Sequence, residues 1–235
     1  MYDRQEIARA IELRITQRKF ENRQLQEHEI ASVWDSLKGI KHLEGSESLR
    51  WYYSHNFPIA SGIVLAKMYD FSTEKLVEYG FEGEQIVLNL TLKGFSTSWA
   101  RLPNYLSMIV LGYPEKNEIV DVERAARHLY RNSNRKPLEE LITGRTELLD
   151  PEIREILLSG RLAPSSFNRQ PWTFEILSER EIAVHGWKKL PAIYEEVISI
   201  DLGVVLSHVY LMACAVKGEV TLERKSTRTY LLGWA

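Results

Sequence analysis

Residues 163–172 read Ala-Pro-Ser-Ser-Phe-Asn-Arg-Gln-Pro-Trp, the most distinctive stretch of the chain. It lies between Gly160, which is placed to end a helix, and a strand that we expect to begin near Trp172. Its hydroxyl and amide side chains can bond a ligand, and its prolines restrict the backbone. Because ligand contacts concentrate in loops held by a rigid scaffold, the stretch indicates a binding loop. The alternative is a capped surface turn beside a core tryptophan.

The sequence on either side of this loop predicts the rest of the second half. Asp150 and Pro151 are typical of a helix start, so we expect a helix over 151–159. The apolar segment from Ile200 to Lys217 predicts a helix that is buried almost all round. Short apolar runs predict strands at 172–177, 182–185, 219–222 and 229–232, the first two of which form a hairpin.

The first half has a related pattern. Apolar spacing predicts helices over 4–17, around 30–37 and over 82–93, and short apolar runs predict strands at 59–66 and 107–114. The order helix, helix, strand, long helix, strand occurs roughly twice, and Lys93-Gly94 and Lys217-Gly218 each end a long apolar helix. We therefore predict an α+β fold of two related halves, residues 1–128 and 129–235, packed as a pseudo-dimer. Each half is expected to have a small, mostly antiparallel sheet with helices around a long buried helix.

Composition narrows the class of protein. The chain has 235 residues, of which 44% are hydrophobic, so it can bury a core without disulfides or metal. Its net charge of -2 argues against nucleic-acid binding on a broad basic surface. It has no apolar run long enough to span a membrane, its charged start is unlike a signal peptide, and its single cysteine excludes an internal disulfide or a Cys-based metal site. We expect a cytoplasmic monomer or weak homodimer with a small-molecule substrate, no nucleic-acid or membrane partner and no bound metal.

Two basic segments are candidates for binding an anion. In the first, Arg14-Ile15-Thr16-Gln17-Arg18-Lys19, cations and a hydroxyl gather at a helix end, where they can supply charge-assisted hydrogen bonds to a phosphate. The alternative is a solvated basic helix end. The second is Arg135-Lys136-Pro137, which follows the strand at 107–114 by about twenty residues. The alternative here is a polar linker between the halves.

Taken together and in this order, four stretches resemble the nitroreductase family of FMN-dependent flavoenzymes. They are residues 14–20, the Leu-Gly-Tyr-Pro of 111–114, residues 135–141 and the loop 163–172. Within the family, the chain is most similar to the single-chain, internally duplicated branch often called "putative TM nitroreductases". The similarity is strongest at 11–20, 108–141 and 155–177, and weak at 40–75 and 219–235.

The resemblance implies a role for each basic residue. Arg14 and Thr16 would grip the phosphate and ribityl chain of FMN, and Arg18 would approach the pyrimidine edge of the flavin. A guanidinium there stabilises the negative charge of the reduced ring, which raises its reduction potential. Arg135 would also contact the phosphate, and Arg131 and Lys136 are the alternative residues for this contact.

The same resemblance assigns the remaining contacts. The loop would hydrogen-bond the ribityl chain and the polar edge of the ring through Pro164, Ser165, Ser166, Asn168 and Gln170. Residues 94–101 resemble the family segment whose backbone N–H groups face flavin N5. Ala100 and Arg101 stand where the family commonly has a small residue or glycine.

The parts of a flavin site are divided between the halves. The first half has the basic motif, but its 38–45 region lacks a counterpart of the loop, whereas the second half has the loop and only an Arg131-x-Ser133-x-Arg135 echo of the motif. A fused pair of this kind can build one complete site. We therefore expect one FMN per chain, at the interface between the halves.

The family reaction would be a ping-pong cycle in which NAD(P)H gives a hydride to the flavin and a nitroaromatic or quinone then takes it. No side-chain nucleophile is expected, because the flavin carries the chemistry. The alternative is a flavin-binding or structural protein with little turnover. Only 28 residues separate Trp172 from Asp201, which leaves little sequence to shape a substrate pocket and favours that alternative. Other flavin reactions, such as dehalogenation or flavin fragmentation, stay open.

Overall fold

A computed structural model describes residues 3–43, 49–55, 57–101, 107–116, 122, 126, 134–187 and 194–235. The helices in these ranges are α1 (Arg4–Leu13), α2 (Glu27–Ser36), α3 (Thr73–Leu92), α4 (Leu138–Leu141), α5 (Pro151–Arg161) and α6 (Glu195–Lys217). The strands are β1 (Trp51–Ser54), β2 (Gly62–Ala66), β3 (Ser96–Ala100), β4 (Met108–Gly112), β5 (Ile142–Gly144), β6 (Trp172–Ser178), β7 (Glu181–Gly186), β8 (Val220–Ser226) and β9 (Thr229–Trp234). The expected boundary between residues 128 and 129 lies outside the described residues.

The strands form two sheets. The first is antiparallel with the order β1-β2-β4-β3, and the second has the order β5-β6-β7-β9-β8, in which only β5 pairs in parallel with its neighbour. Without β5, the second order is the same as the first. In both sheets a long helix, α3 or α6, joins the second strand of one hairpin to the first strand of the next. This arrangement confirms the predicted α+β class and the mostly antiparallel sheets.

Local signals placed several elements correctly. The Asp150 side chain accepts from the N–H of Ile153, and Pro151 begins α5, which runs two residues beyond the predicted end. The predicted hairpin matches β6 and β7, with Trp172 paired to Gly186. α1 begins at an Asp3 capping box, as its sequence indicates.

The predicted helix over 4–17 is too long, and the correction matters for the site. Arg14 has extended backbone angles of φ -64° and ψ 116°, so α1 ends at Leu13. Beyond it, Thr16 forms a parallel bridge with Thr97 of β3, and the Gln17 N–H donates to the Thr97 carbonyl at 2.9 Å. Sheet pairing with a distant strand therefore overrides the helical pattern. Residues 14–17 lie along the edge of the first sheet.

The bounds of other helices and strands also differ from the predicted ones. α3 begins at Thr73 instead of 82, because Ser72 caps a first turn whose polar residues conceal the apolar pattern. α6 begins at Glu195, β2 begins at Gly62 instead of 59, and β4 spans less than the predicted 107–114. The strands β1, β3 and β5 were not predicted.

The core is organised by the crossing of α3 and α6, both of which are largely buried. A Cβ atom at Gly203 would lie 1.9 Å from the carbonyl oxygen of Val77, and one at Gly80 would lie 2.1 Å from that of Ile200. Each carbonyl belongs to the residue three positions before the other helix's glycine, so the contact is reciprocal. Glycine is required on both sides, because the two backbones touch.

We expect Gly203→Ala to lower the free energy of unfolding by about 3 kcal/mol, because the added methyl group forces two buried helices apart. The better helix propensity of alanine offsets only about 1 kcal/mol of this loss. Gly233→Ala is the matched control, since its Cβ atom would meet only Thr221 Oγ1, at 3.2 Å, and the Arg180 carbonyl, at 3.9 Å. Urea unfolding of both variants measures the difference, and equal stabilities would show that the helices do not depend on this crossing.

Candidate functional site

A cleft of about 590 Å³ combines residues from both ends of the chain. The first half contributes Thr16, Arg18, Trp99 and Ser107. The second half contributes Arg135, Pro164, Ser165, Ser166, Phe167, Asn168, Ile200, Asp201 and Val204. The basic motif at the end of α1 and the loop after α5 therefore face the same space, although about 150 residues separate them.

The loop is held in an uncommon backbone conformation. Phe167, Asn168 and Gln170 have φ angles of 55°, 55° and 47°, in the left-handed region that costs a non-glycine residue free energy. Buried Gln170 holds the loop: its N–H donates to Ser165 Oγ at 2.9 Å and its Nε2 donates to the Asn168 carbonyl at 3.1 Å. Phe167 is left 82% exposed on the cleft wall. The loop is therefore preorganised, with hydroxyl and amide groups on the cleft.

The 135–136 segment is tied to this loop. Arg135 Nη1 donates to Asn168 Oδ1 at 2.6 Å, and the Lys136 N–H donates to Gln170 Oε1 at 2.9 Å. Lys136 Nζ donates to the Gln170 carbonyl at 3.3 Å and lies over the ring of Trp187. Arg135 therefore lines the cleft while Lys136 supports the loop. The alternate Arg131 lies outside the described residues.

Positive charge accumulates at the cleft. The pKa of Arg135 falls to about 10, chiefly through burial and then through the nearby charges of Arg14 and Arg161. Arg18 lines the same space. Neighbouring guanidinium groups that destabilise each other's charged forms create a potential that favours an anion.

Arg14 is not one of the described residues that line the cleft. It is 5% exposed, and its Nε lies 3.8 Å from Glu84 Oε1 without forming a hydrogen bond. Burial lowers the pKa of Arg14, and the charge of Glu84 opposes that shift. The guanidinium is thus a buried cation with an incomplete set of partners.

Glu84 connects Arg14 to a buried polar network. Trp99 Nε1 donates to Glu84 Oε2 at 2.7 Å, and His208 Nε2 lies 3.0 Å from Glu84 Oε1. His208 Nδ1 lies 3.0 Å from the Ser159 carbonyl, which can only accept, so Nδ1 carries a proton. Burial lowers the pKa of His208. The contact between Nε2 and Oε1 requires a proton on one of those two atoms.

Asp201 is the acidic side chain among the described residues that line the cleft. It is 4% exposed, and its oxygens accept from the Ser166 N–H at 3.0 Å and from Ser166 Oγ at 3.2 Å. Burial raises the pKa of Asp201 to about 7, and the Ser166 bonds and the charges of Arg135 and Arg169 oppose the rise. Sequence reasoning missed this residue and Glu84; the available signal was an acidic residue within an apolar helix.

Four of the predicted residues are not among the described residues that line the cleft: Arg14, Gln170, Ala100 and Arg101. Arg14 and Gln170 are buried. Ala100 packs against the small cluster that contains Met108, and Arg101 Nη2 donates to Glu196 at 3.0 Å. Trp99 and Ser107 line the cleft at this place instead. The side chains of β3 alternate between its two faces, so Trp99 and Ala100 point in opposite directions.

The described residues also bear on metal binding and on membrane insertion. Their His, Cys, Asp and Glu side chains form no group of three or more that could hold a metal ion. One helix, α6, is long and apolar enough to cross a membrane by length and composition, but most of it is buried inside the protein.

We expect Glu84→Ala to lower the free energy of unfolding by about 3 kcal/mol or more, because it leaves Arg14 as an uncompensated buried charge. Glu175→Ala is the control, since Glu175 pairs with the partly exposed His185 at 2.9 Å and should change stability by less than about 1 kcal/mol. Thermal unfolding followed by circular dichroism compares the two. Equal losses of stability in the two variants would show that the buried Glu84 network contributes no more than a partly exposed ion pair.

Comparisons with known proteins identify the family. The family model described as "Putative TM nitroreductase" matches residues 6–213. A crystal structure of a "putative nitroreductase" from Thermotoga maritima MSB8 is 30% identical, with a TM-score of 0.73 over 100% of this chain and 96% of that chain. A nitroreductase family protein from Clostridium difficile 630 is 14% identical over 62% of this chain and 99% of that chain, and its TM-score of 0.44 carries no structural argument. No curated protein matches. The predicted resemblance is therefore confirmed, and the chain belongs to the family described as "Putative TM nitroreductase".

Proposed function

We propose that this protein is an FMN-dependent oxidoreductase that oxidises NAD(P)H and reduces nitroaromatic or quinone-type acceptors. The observation that carries the proposal is the cleft in which the basic motif and the loop meet. Family membership supports the oxidoreductase class. The cofactor, the donor and the acceptors are our proposal.

The residues of the cleft fit a phosphorylated flavin. The cleft has a volume of about 590 Å³, which lies within the ~300–1,000 Å³ typical of cofactor pockets. The buried Nε of Arg14 has no hydrogen bond although Glu84 lies 3.8 Å away, and burial and neighbouring cations lower the pKa of Arg135. Positive charge beside the cleft is therefore incompletely balanced and favours a further anion. Thr16, Arg18 and Arg135, which line the cleft, would therefore hold the phosphate end and the pyrimidine edge, and buried Arg14 would add positive charge near them.

The rest of the wall suits the uncharged parts of the cofactor. Ser165, Ser166 and Asn168 present hydroxyl and amide groups that can bond the ribityl hydroxyls. Trp99, Ile200 and Val204 supply the apolar surface that a flat aromatic ring requires. Gln170, which is buried and bonded within the loop, would support these residues from behind.

Bound FMN would supply two-electron hydride chemistry, and the protein would supply position and electrostatics. Arg18 would stabilise negative charge on the reduced ring. The preorganised loop would hold the ring without paying a further ordering cost during turnover. Phe167, which is exposed on the same wall, can contact an aromatic acceptor.

We also propose one flavin per chain, in a fused pseudo-dimer. The shared strand order and the reciprocal contact of Gly80 with Ile200 and of Gly203 with Val77 support a two-fold relation between the halves. The loop comes from the second half and the basic motif from the first. The first half has no sequence counterpart of the loop with which to build a second such site.

Titration of the flavin-free protein with FMN tests the proposal. We expect saturation at one FMN per chain and, under anaerobic conditions, bleaching of the bound flavin by NADH or NADPH. A flavin that binds but stays oxidised would favour the alternative of a binding protein without turnover. Saturation at two per chain would contradict the division of the site between the halves, and absence of binding would contradict the flavoprotein proposal.

We expect Arg135→Ala to weaken FMN binding by about 10-fold or more, since one charge-assisted bond to an anion is worth about 1.5–3 kcal/mol. Riboflavin, which lacks the phosphate, should lose less affinity than FMN, because for riboflavin the variant removes only the support that Arg135 gives to Asn168. Arg145→Ala is the control, because Arg145 is exposed and pairs with Glu147. Flavin fluorescence quenching measures both ligands; an equal loss for riboflavin would show that Arg135 does not act on the phosphate.

A further inference from the structure

Reduction of a quinone requires a proton that hydride transfer does not supply. A quinone becomes a hydroquinone by taking up two electrons and two protons. A hydride brings two electrons and one proton, so a second proton must reach the other quinone oxygen. The inference below rests on the proposed function, because it concerns the source of this proton.

The described lining of the cleft offers one carboxyl group that can supply it, that of Asp201. The other described lining side chains are arginines, hydroxyl-bearing residues, an asparagine, aromatic residues, a proline and aliphatic residues. None of these gives up a proton readily at neutral pH. Asp201 also lies on α6, a rigid element, and its carboxyl group is fixed by Ser166.

We propose that Asp201 is the general acid that protonates the acceptor during its reduction. The O–H bond of the Asp201 carboxyl breaks as an O–H bond forms on the quinone oxygen, while the hydride supplies both electrons and the first proton. The products are a hydroquinone and the Asp201 carboxylate. Water that enters the open cleft then restores the proton on Asp201.

The surroundings of Asp201 suit both forms of the carboxyl group. Burial stabilises the acid and raises its pKa to about 7, the range in which a general acid is most effective at neutral pH. The carboxylate that remains accepts the Ser166 N–H and Oγ–H bonds. Arg135 faces it from the segment before α4, and Arg169 from the loop, where its guanidinium also lies 4.2 Å from the centre of the Tyr194 ring. Arg18, across the same cleft, adds a third positive charge.

The experiment isolates the second half of the catalytic cycle. The FMN-loaded protein and Asp201→Asn are reduced anaerobically with dithionite and mixed with benzoquinone in a stopped-flow spectrometer, and the reappearance of oxidised flavin is followed from pH 5.5 to 9. For the parent protein we expect the rate to fall as the pH rises through about 7, because the acid form of Asp201 is lost. For Asp201→Asn we expect a rate at pH 6 about 100-fold lower and no break near pH 7.

Ferricyanide is the control acceptor, because it takes one electron at a time and no proton. Its rate should differ by less than about twofold between the two proteins if only proton supply has changed. Ser166→Ala is the control variant, since it removes one bond to Asp201 and keeps the carboxyl group. In Ser166→Ala the rate of flavin reoxidation by the quinone should still fall as the pH rises, because the Asp201 carboxyl group is present.

Each outcome decides the proposal. Equal quinone rates and equal pH profiles in the parent protein and Asp201→Asn would overturn it, and so would an equal slowing with quinone and ferricyanide. If Asp201→Asn does not fold, the parent protein decides alone: a flat quinone profile across pH 7 overturns the general-acid role. Failure of the parent protein to bind FMN, or failure of both NADH and NADPH to reduce the bound flavin, would instead contradict the proposed function, because neither result depends on proton transfer from Asp201.

Discussion

The backbones of α3 and α6 are in direct contact at Gly80 and Gly203, and this contact fixes how the two long buried helices cross. Neither glycine has a side chain that could separate the two helices, so their backbones pack directly against each other. Close packing at this contact fixes the position of one helix relative to the other. Asp201 and Val204 flank Gly203 and line the cleft, while Glu84 lies one turn beyond Gly80 and reaches Trp99 and His208. The crossing therefore sets the positions of both buried acids relative to the basic motif.

The charges around the cleft are arranged at a cost to stability. Arg14 is buried with an unbonded Nε, and burial followed by the charges of Arg14 and Arg161 lowers the pKa of Arg135. Burial also raises the pKa of Asp201 and so favours its acid form. The loop adds three non-glycine residues in the left-handed region. Features of this kind cluster at functional sites because the same low dielectric that makes them costly strengthens their interaction with a ligand. An anionic group in the cleft would offset much of the cost.

Sequence reasoning succeeded where the signal is local. The cap at Asp150 and the hairpin of β6 and β7 were predicted correctly because their residues interact within a few positions. It failed where partners are distant: α1 ends at Leu13 because Thr16 pairs with Thr97, and Glu84 meets His208 across 124 positions. Alternation along β3, which turns Trp99 into the cleft and Ala100 away from it, depends on a strand that the sequence did not reveal.

We propose that fragments from the two halves of one polypeptide build one flavin site. A crystal structure of the protein grown with FMN would show which residues surround the flavin. We expect one flavin per chain, with its phosphate within hydrogen-bonding distance of a guanidinium from the first half and of Arg135, and its ribityl chain against Ser165 and Ser166. A flavin bound elsewhere, or held by residues of one half alone, would show that the two halves do not share one site.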